Sequence, residues 1–127
     1  MRRLHTSVVV AIAFLLIGAG TAHAVSYLYT APQSRNGRAF SCYVLNTGTR
    51  TATVNTQAID VNGNLFESND QELAPGGVGG FSLPAGTLGP VVYCKFIVTV
   101  GNQLLLRASS CVWDTDALAC QASTEAR

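Results

Sequence analysis

The sequence predicts an all-β protein: one antiparallel β-sandwich of about seven to eight strands, held by two disulfides, behind an N-terminal export signal. Three observations lead there. From Ala39 onward, runs rich in Val, Thr, Tyr and Phe alternate with period two and are cut at short intervals by Gly, Pro and Asn. No amphipathic helix separates those runs, which argues against a parallel α/β sheet. Four cysteines sit in a short chain whose first residues look like a secretory leader.

The leader comes first in the chain. Met1-Arg2-Arg3 is followed by the apolar run Val8–Ile17, then Gly18-Ala19-Gly20 and Ala22-His23-Ala24. Charged, apolar and small-residue segments in that order describe a signal peptide over residues 1–24, with an A-x-A cleavage site after Ala24. The apolar run is shorter than the roughly 20 residues that span a bilayer, so stable membrane insertion is not expected. Residues 25–127 then form one domain, secreted or periplasmic and bacterial in character. Six basic and seven acidic side chains remain in it, a formal charge of −1. The basic groups form no patch, so nucleic acid is not an expected partner. Arg35 and Arg38 read as part of a loop.

Within the domain, Ser26 to Gly37 reads as an entry strand or arm carrying Tyr27 and Tyr29, ending in a turn-rich loop. The expected strands that follow are Ala39–Asn46, Thr51–Val61, Asn64–Ser68, Gln71–Leu73, Gly79–Leu83, Val91–Val100, Gln103–Trp113 and Leu118–Ser123. Turns are expected at Asn46-Thr47-Gly48, Asn62-Gly63, Pro75-Gly76-Gly77, the Pro84–Pro90 segment and Gly101-Asn102. Asn-Gly and Gly-Asn between apolar runs are strong two-residue hairpin signals.

Strand phase sorts the cysteines. Val92, Cys94, Phe96, Val98 and Val100 make one wholly apolar face, so Cys94 points inward. Phe40, Cys42 and Val44 share a face, which also places Cys42 inside. Leu104, Leu106, Ala108, Ser110 and Val112 form the next apolar set, so Cys111 points outward. Of three connectivities, phase selects Cys42–Cys94 and leaves Cys111–Cys120. A hairpin with Asp114-Thr115-Asp116-Ala117 as its loop supports the second pair, because Trp113 then faces Leu118, Val112 faces Ala119, and Cys111 faces Cys120. Chain entropy puts the first bridge, closing about 53 residues, at about 4 kcal/mol, and the second, closing about 10, at about 2.7 kcal/mol.

Other chemistry fits poorly. Steps of 52, 17 and 9 residues between cysteines contain no knuckle spacing, so a four-cysteine zinc site is not expected, and no C-x-x-C redox motif exists. Both histidines, His5 and His23, lie in the leader. Residues 25–127 therefore lack Ser-His-Asp and Cys-His machinery and His-based metal sites, and no enzyme, cofactor or metal is expected. Asp60-Val61-Asn62-Gly63-Asn64 with Glu67 fails the EF-hand spacing and reads as a strand ending in an Asn-Gly turn. A calcium site shared with a second loop stays open. Trp113, Asp114 and Asp116 put an aromatic beside two carboxylates, a candidate ligand contact, although Asp is also a default turn residue.

The runs Val44-Leu45-Asn46-Thr47-Gly48 and Ala52-Thr53-Val54, the turn Val61-Asn62-Gly63, and Leu73-Ala74-Pro75-Gly76-Gly77 leading to Phe81 resemble bacterial immunoglobulin-like β-sandwich modules of the CARDB, cell-adhesion-related type. The likeness covers about Phe40 to Val100. It implies an immunoglobulin-like sandwich used as a spacer or interaction module, with no catalytic residues. The four cysteines and the stapled C-terminal hairpin depart from it. The functional expectation is a secreted, non-enzymatic protein with a structural or protein-interaction role and an unknown protein or envelope partner. The alternative is a small-ligand or carbohydrate-binding domain that uses Trp113 or the Tyr27/Tyr29 arm. An exposed aromatic row would favour the alternative, and an open apolar edge strand the first reading.

Overall fold

A computed structural model describes residues 24–86, 89, 91–114 and 119–127, with backbone alone at 121 and 122. The leader and Asp116 lie outside the described residues. Alternating patterns with frequent turns give strands rather than helices, and two antiparallel sheets pack face to face. The first sheet contains β1 (Ser26–Tyr29), β2 (Gln33–Ser34), β4 (Ala52–Asp60), β5 (Leu65–Leu73) and β7 (Val91–Val100). Its order is β1-β7-β4-β5, with β2 continuing the β1 edge beside β7. The second contains β3 (Phe40–Asn46), β6 (Val78–Leu83), β8 (Leu106–Asp114) and β9 (Ala119–Glu125), in the order β6-β3-β8-β9. No helix among the described residues is long and apolar enough to cross a membrane.

The core lies between the sheets. Phe40, Cys42 and Val44 from β3 meet Val54 and Ala58 from β4, Val92, Cys94, Phe96 and Val98 from β7, and Leu106, Ala108 and Val112 from β8. The inward phases read from the alternation in β3, β7 and β8 hold at these positions, but Val100, expected inside, is exposed at the end of β7. Cys42 and Cys94 are bonded at a Cα–Cα distance of 5.8 Å. Facing sheets ordinarily pack at about 10 Å, so the staple draws the two strands together at this point. Close packing continues at β6, where Gly80 has φ +130° and a Cβ would fall 1.9 Å from the carbonyl oxygen of Cys42. Only glycine lets β6 lie against β3 there.

Asn46 organises one end of the sandwich. Its Nδ2 donates to the carbonyls of Arg50 (2.8 Å) and Leu73 (2.9 Å), and its Oδ1 accepts from Gly48 N (2.9 Å). This satisfies a fully buried amide and shapes the Asn46-Thr47-Gly48 turn, which carries the chain from one sheet to the other. On one flank the sheets are laced together, because Tyr29 and Arg127 exchange both backbone hydrogen bonds at 3.1 Å. β5 and β6 form the opposite flank.

Four expectations are corrected. Asn64–Ser68 and Gln71–Leu73 are one strand, β5, paired with β4 from Leu73↔Ala52 to Leu65↔Ile59. No glycine or proline interrupts it, and Asn55 Nδ2 holds Asp70 across the strands at 2.9 Å. Gly101-Asn102 is no hairpin, since β7 and β8 belong to different sheets. Asn102 Oδ1 accepts from Leu104 N, so Gln103–Leu105 winds into a 3₁₀ turn before β8, and Leu104, expected inside, is 71% exposed. The register of the last hairpin also differs: Cys111 faces Ser123, Val112 faces Ala122 and Trp113 faces Cys120. One extra residue on β9, Gln121, makes a bulge there. Cys111 and Cys120 bond across the resulting diagonal at a Cα–Cα distance of 5.7 Å. The connectivity is the expected one even though the register is not. Finally, Arg35 is no exposed loop cation. It is fully buried, and its guanidinium has no hydrogen-bond partner among the described residues.

Candidate binding surface

Alternation in β1 buries Leu28 and turns Tyr27 and Tyr29 to the outer face of the first sheet. Alternation in β7 does the same for Tyr93 and Lys95. Antiparallel pairing then sets Tyr29 opposite Lys95 and Tyr27 opposite Ile97. The rings form a row, with Tyr27 and Tyr29 stacked at 6.4 Å between centroids and Tyr29 and Tyr93 tilted at 6.5 Å. Both separations fall in the range of favourable aromatic pairs. Tyr27 and Tyr29 are 48% and 44% exposed, so the row is accessible.

Lys95 lies over this row, its Nζ 5.2 Å from the Tyr27 centroid and 6.0 Å from that of Tyr29. Such contacts are worth about 0.5–1 kcal/mol at an exposed site. Among the described residues Lys95 forms no ion pair. Across the sheet the registers give two rows, Tyr29–Lys95–Gln57–Ser68 and Tyr27–Ile97–Asn55–Asp70. Asn55 Nδ2 donates to Ser68 Oγ and Asp70 Oδ1, each at 2.9 Å, while its Oδ1 has no partner among the described residues. Tyr29 also borders an open recess of about 530 Å³ that Thr124, Glu125 and Arg127 help to line.

The outer face of the second sheet uses its aromatics differently. Trp113 is half-buried, and its Nε1 donates to Ser41 Oγ at 2.6 Å. Ser41 in turn shares a hydrogen bond with Ser82 (2.7 Å), which also meets the Tyr43 hydroxyl (3.0 Å). Trp113 thus roofs a fully buried serine, which is a structural employment for the residue expected to contact ligand. Asp114 is half-buried beside it. Asp116, the second carboxylate of the expected constellation, lies outside the described residues.

Asp60, the first residue of the calcium-like stretch, closes the β4–β5 turn. Its Oδ1 accepts from Asn62 N (2.8 Å) and Asn64 N (2.9 Å), and its Oδ2 from Asn64 Nδ2 (2.8 Å). These bonds, that of the Asn64 side chain foremost, hold the carboxyl below its usual range. Among the described residues no three His, Cys, Asp or Glu side chains gather as metal ligands. Burial pushes the Arg35 guanidinium down from its ordinary value, which is the expected cost of desolvating a cation.

Sequence reading nominated Tyr27 and Tyr29 but missed Tyr93 and Lys95. Their side of β7 was visible only as a mixed face. What unites them with β1 is a pairing between segments more than sixty residues apart in sequence, and no local pattern carries that. No family model matches the chain, and neither a curated protein nor a solved structure matches it.

Proposed function

We propose that the chain is an exported, non-enzymatic binding module of immunoglobulin-like type, and that it takes a small ligand or carbohydrate on the tyrosine row of its first sheet. The row of Tyr27, Tyr29 and Tyr93, two of them about half exposed, carries this reading. Rigid aromatic side chains give large contact area at little entropic expense. Export is supported by the leader pattern and by two disulfides, which persist in oxidising compartments. The immunoglobulin-like type is supported by the inter-sheet staple from β3 to β7. A departure from that fold is that the final hairpin, β8–β9, joins the sheet of the first cysteine.

A protein partner that adds a strand to an edge is the other reading. The β5 edge opens with exposed Leu65 and Phe66 but then carries Glu67, Asp70 and Glu72 along its length. Charged edges discourage strand addition, so the aromatic face is the better candidate. The test is binding of the purified domain to a glycan array, beside the double variant Tyr27→Ala/Tyr29→Ala. Saccharide binding that the double variant loses, with an unchanged melting temperature, supports the reading. Equal binding by both proteins overturns it.

A further inference from the structure

We propose that the tyrosine row recognises an acidic saccharide, one carrying a carboxylate, with Lys95 as the group that reads the charge. The inference rests on the tyrosine row being the binding surface. Charge is the argument. Lys95 is the one cation that the strand registers place among Tyr27, Tyr29, Tyr93, Ile97, Asn55 and Gln57. Its cross-strand neighbours are Tyr29 and Gln57, both uncharged. The nearest acid along the rows is Asp70, two strands away and already held by Asn55. The ammonium is therefore left with ring faces as its partners.

A carboxylate is a stronger partner for an ammonium than a ring quadrupole is, because the hydrogen bond is charge-assisted. An incoming acid would draw Lys95 from over the rings, and in doing so uncover the tyrosine faces for the ligand's apolar side. The rest of the surface fits a sugar. A pyranose has a C–H face that packs on an aromatic ring and a rim of hydroxyls. Gln57, next to Lys95 along its row, offers an amide donor and acceptor to those hydroxyls. An acidic peptide would satisfy Lys95 equally but makes no comparable use of three adjoining rings.

The experiment is titration calorimetry of the purified domain with oligogalacturonate, oligomannuronate, their methyl esters, and oligoglutamate. At least one free acid should bind about tenfold or more tighter than its ester at low salt, a difference of about 1.4 kcal/mol, and the gap should narrow as salt rises. Lys95→Met should bring acid and ester to equal affinity. Tyr27→Ala/Tyr29→Ala should weaken both. Acid and ester binding alike to the wild type, or a preference that survives Lys95→Met, overturns the charge reading while sparing the tyrosine surface. Oligoglutamate binding as tightly as the acidic saccharides transfers the site to an acidic protein partner and overturns the proposal. Absence of binding by any of the saccharides overturns the tyrosine reading along with it.

Discussion

The outer faces of the two sheets carry similar residues in different employment. On the second sheet Trp113 donates its indole N–H to Ser41 and covers it, and Tyr43 is tied to Ser82. On the first, Tyr27, Tyr29 and Tyr93 touch one another and a lysine, and two of them remain about half exposed. An aromatic side chain is available to a ligand when its face is not already a roof for something polar beneath it. That distinction separates Trp113 from the tyrosines, and residue type does not reveal it.

The largest expected effects come from the covalent frame that holds the two faces back to back. Cys42→Ala/Cys94→Ala should lower stability by about 4 kcal/mol, and Cys111→Ala/Cys120→Ala by about 2.7 kcal/mol. Denaturant titration of the two double variants measures the order. The core staple joins the sheets, so its loss should also weaken saccharide binding. The outer staple lies within the second sheet, and its loss should leave binding at the tyrosine row alone. A reversed order of stabilities would mean that the β8–β9 hairpin is a larger part of the frame than its position on the sheet edge indicates.

Next in size is the contrast between the aromatics themselves. Trp113→Ala should cost about 2 kcal/mol, less than the 3–5 kcal/mol typical of a fully buried tryptophan, because the ring is half-buried and its loss bares Ser41. Tyr27→Ala should stay within about 0.5 kcal/mol, as surface substitutions do, and act on binding. Thermal unfolding paired with ligand titration separates the two. If Trp113→Ala left stability unchanged and removed binding, the roles given to the two faces would be exchanged.

These contrasts show where sequence reading succeeds. Period-two alternation in Val91–Val100 places Cys94, Phe96 and Val98 inside and Tyr93 and Lys95 outside, because side-chain direction along a strand is a local property. Gly101-Asn102 fails because the same dipeptide serves a hairpin and a corner between sheets, and only strand pairing tells them apart. The Cys111–Cys120 bond was legible, but its register was not, since the bulge at Gln121 has no glycine or other local mark. Arg35 looked like a loop residue for a similar reason. Its neighbours Asn36 and Gly37 do turn, with φ of +46° and +76°. What buries the side chain is the adjoining short pairing of Gln33 and Ser34 with β7, in phase with the interior.

The smallest effect expected is an acid softening confined to the sheet that carries the tyrosines. Asp60 closes the β4–β5 turn, and hydrogen bonds from Asn64 and Asn62 hold its carboxyl below the usual range. A carboxyl depressed in the folded state adds stability that is fully present above its unfolded pKa, near 3.9. That stability is lost as pH falls through the lower, folded value. Asp60→Asn keeps one oxygen acceptor for the backbone N–H groups but carries no charge to lose. Melting temperature followed from pH 6 down to pH 2 (about four units spanning that carboxyl range) should therefore start higher for the wild type than for the variant and converge in acid. Amide exchange should show the loosening at Asn62 to Asn64, whose N–H groups donate to Asp60, before it reaches β8 and β9. Parallel melting curves would mean that the turn holds by its backbone alone. The acid sensitivity of the two sheets would then be the same, and their difference would rest entirely on the aromatics.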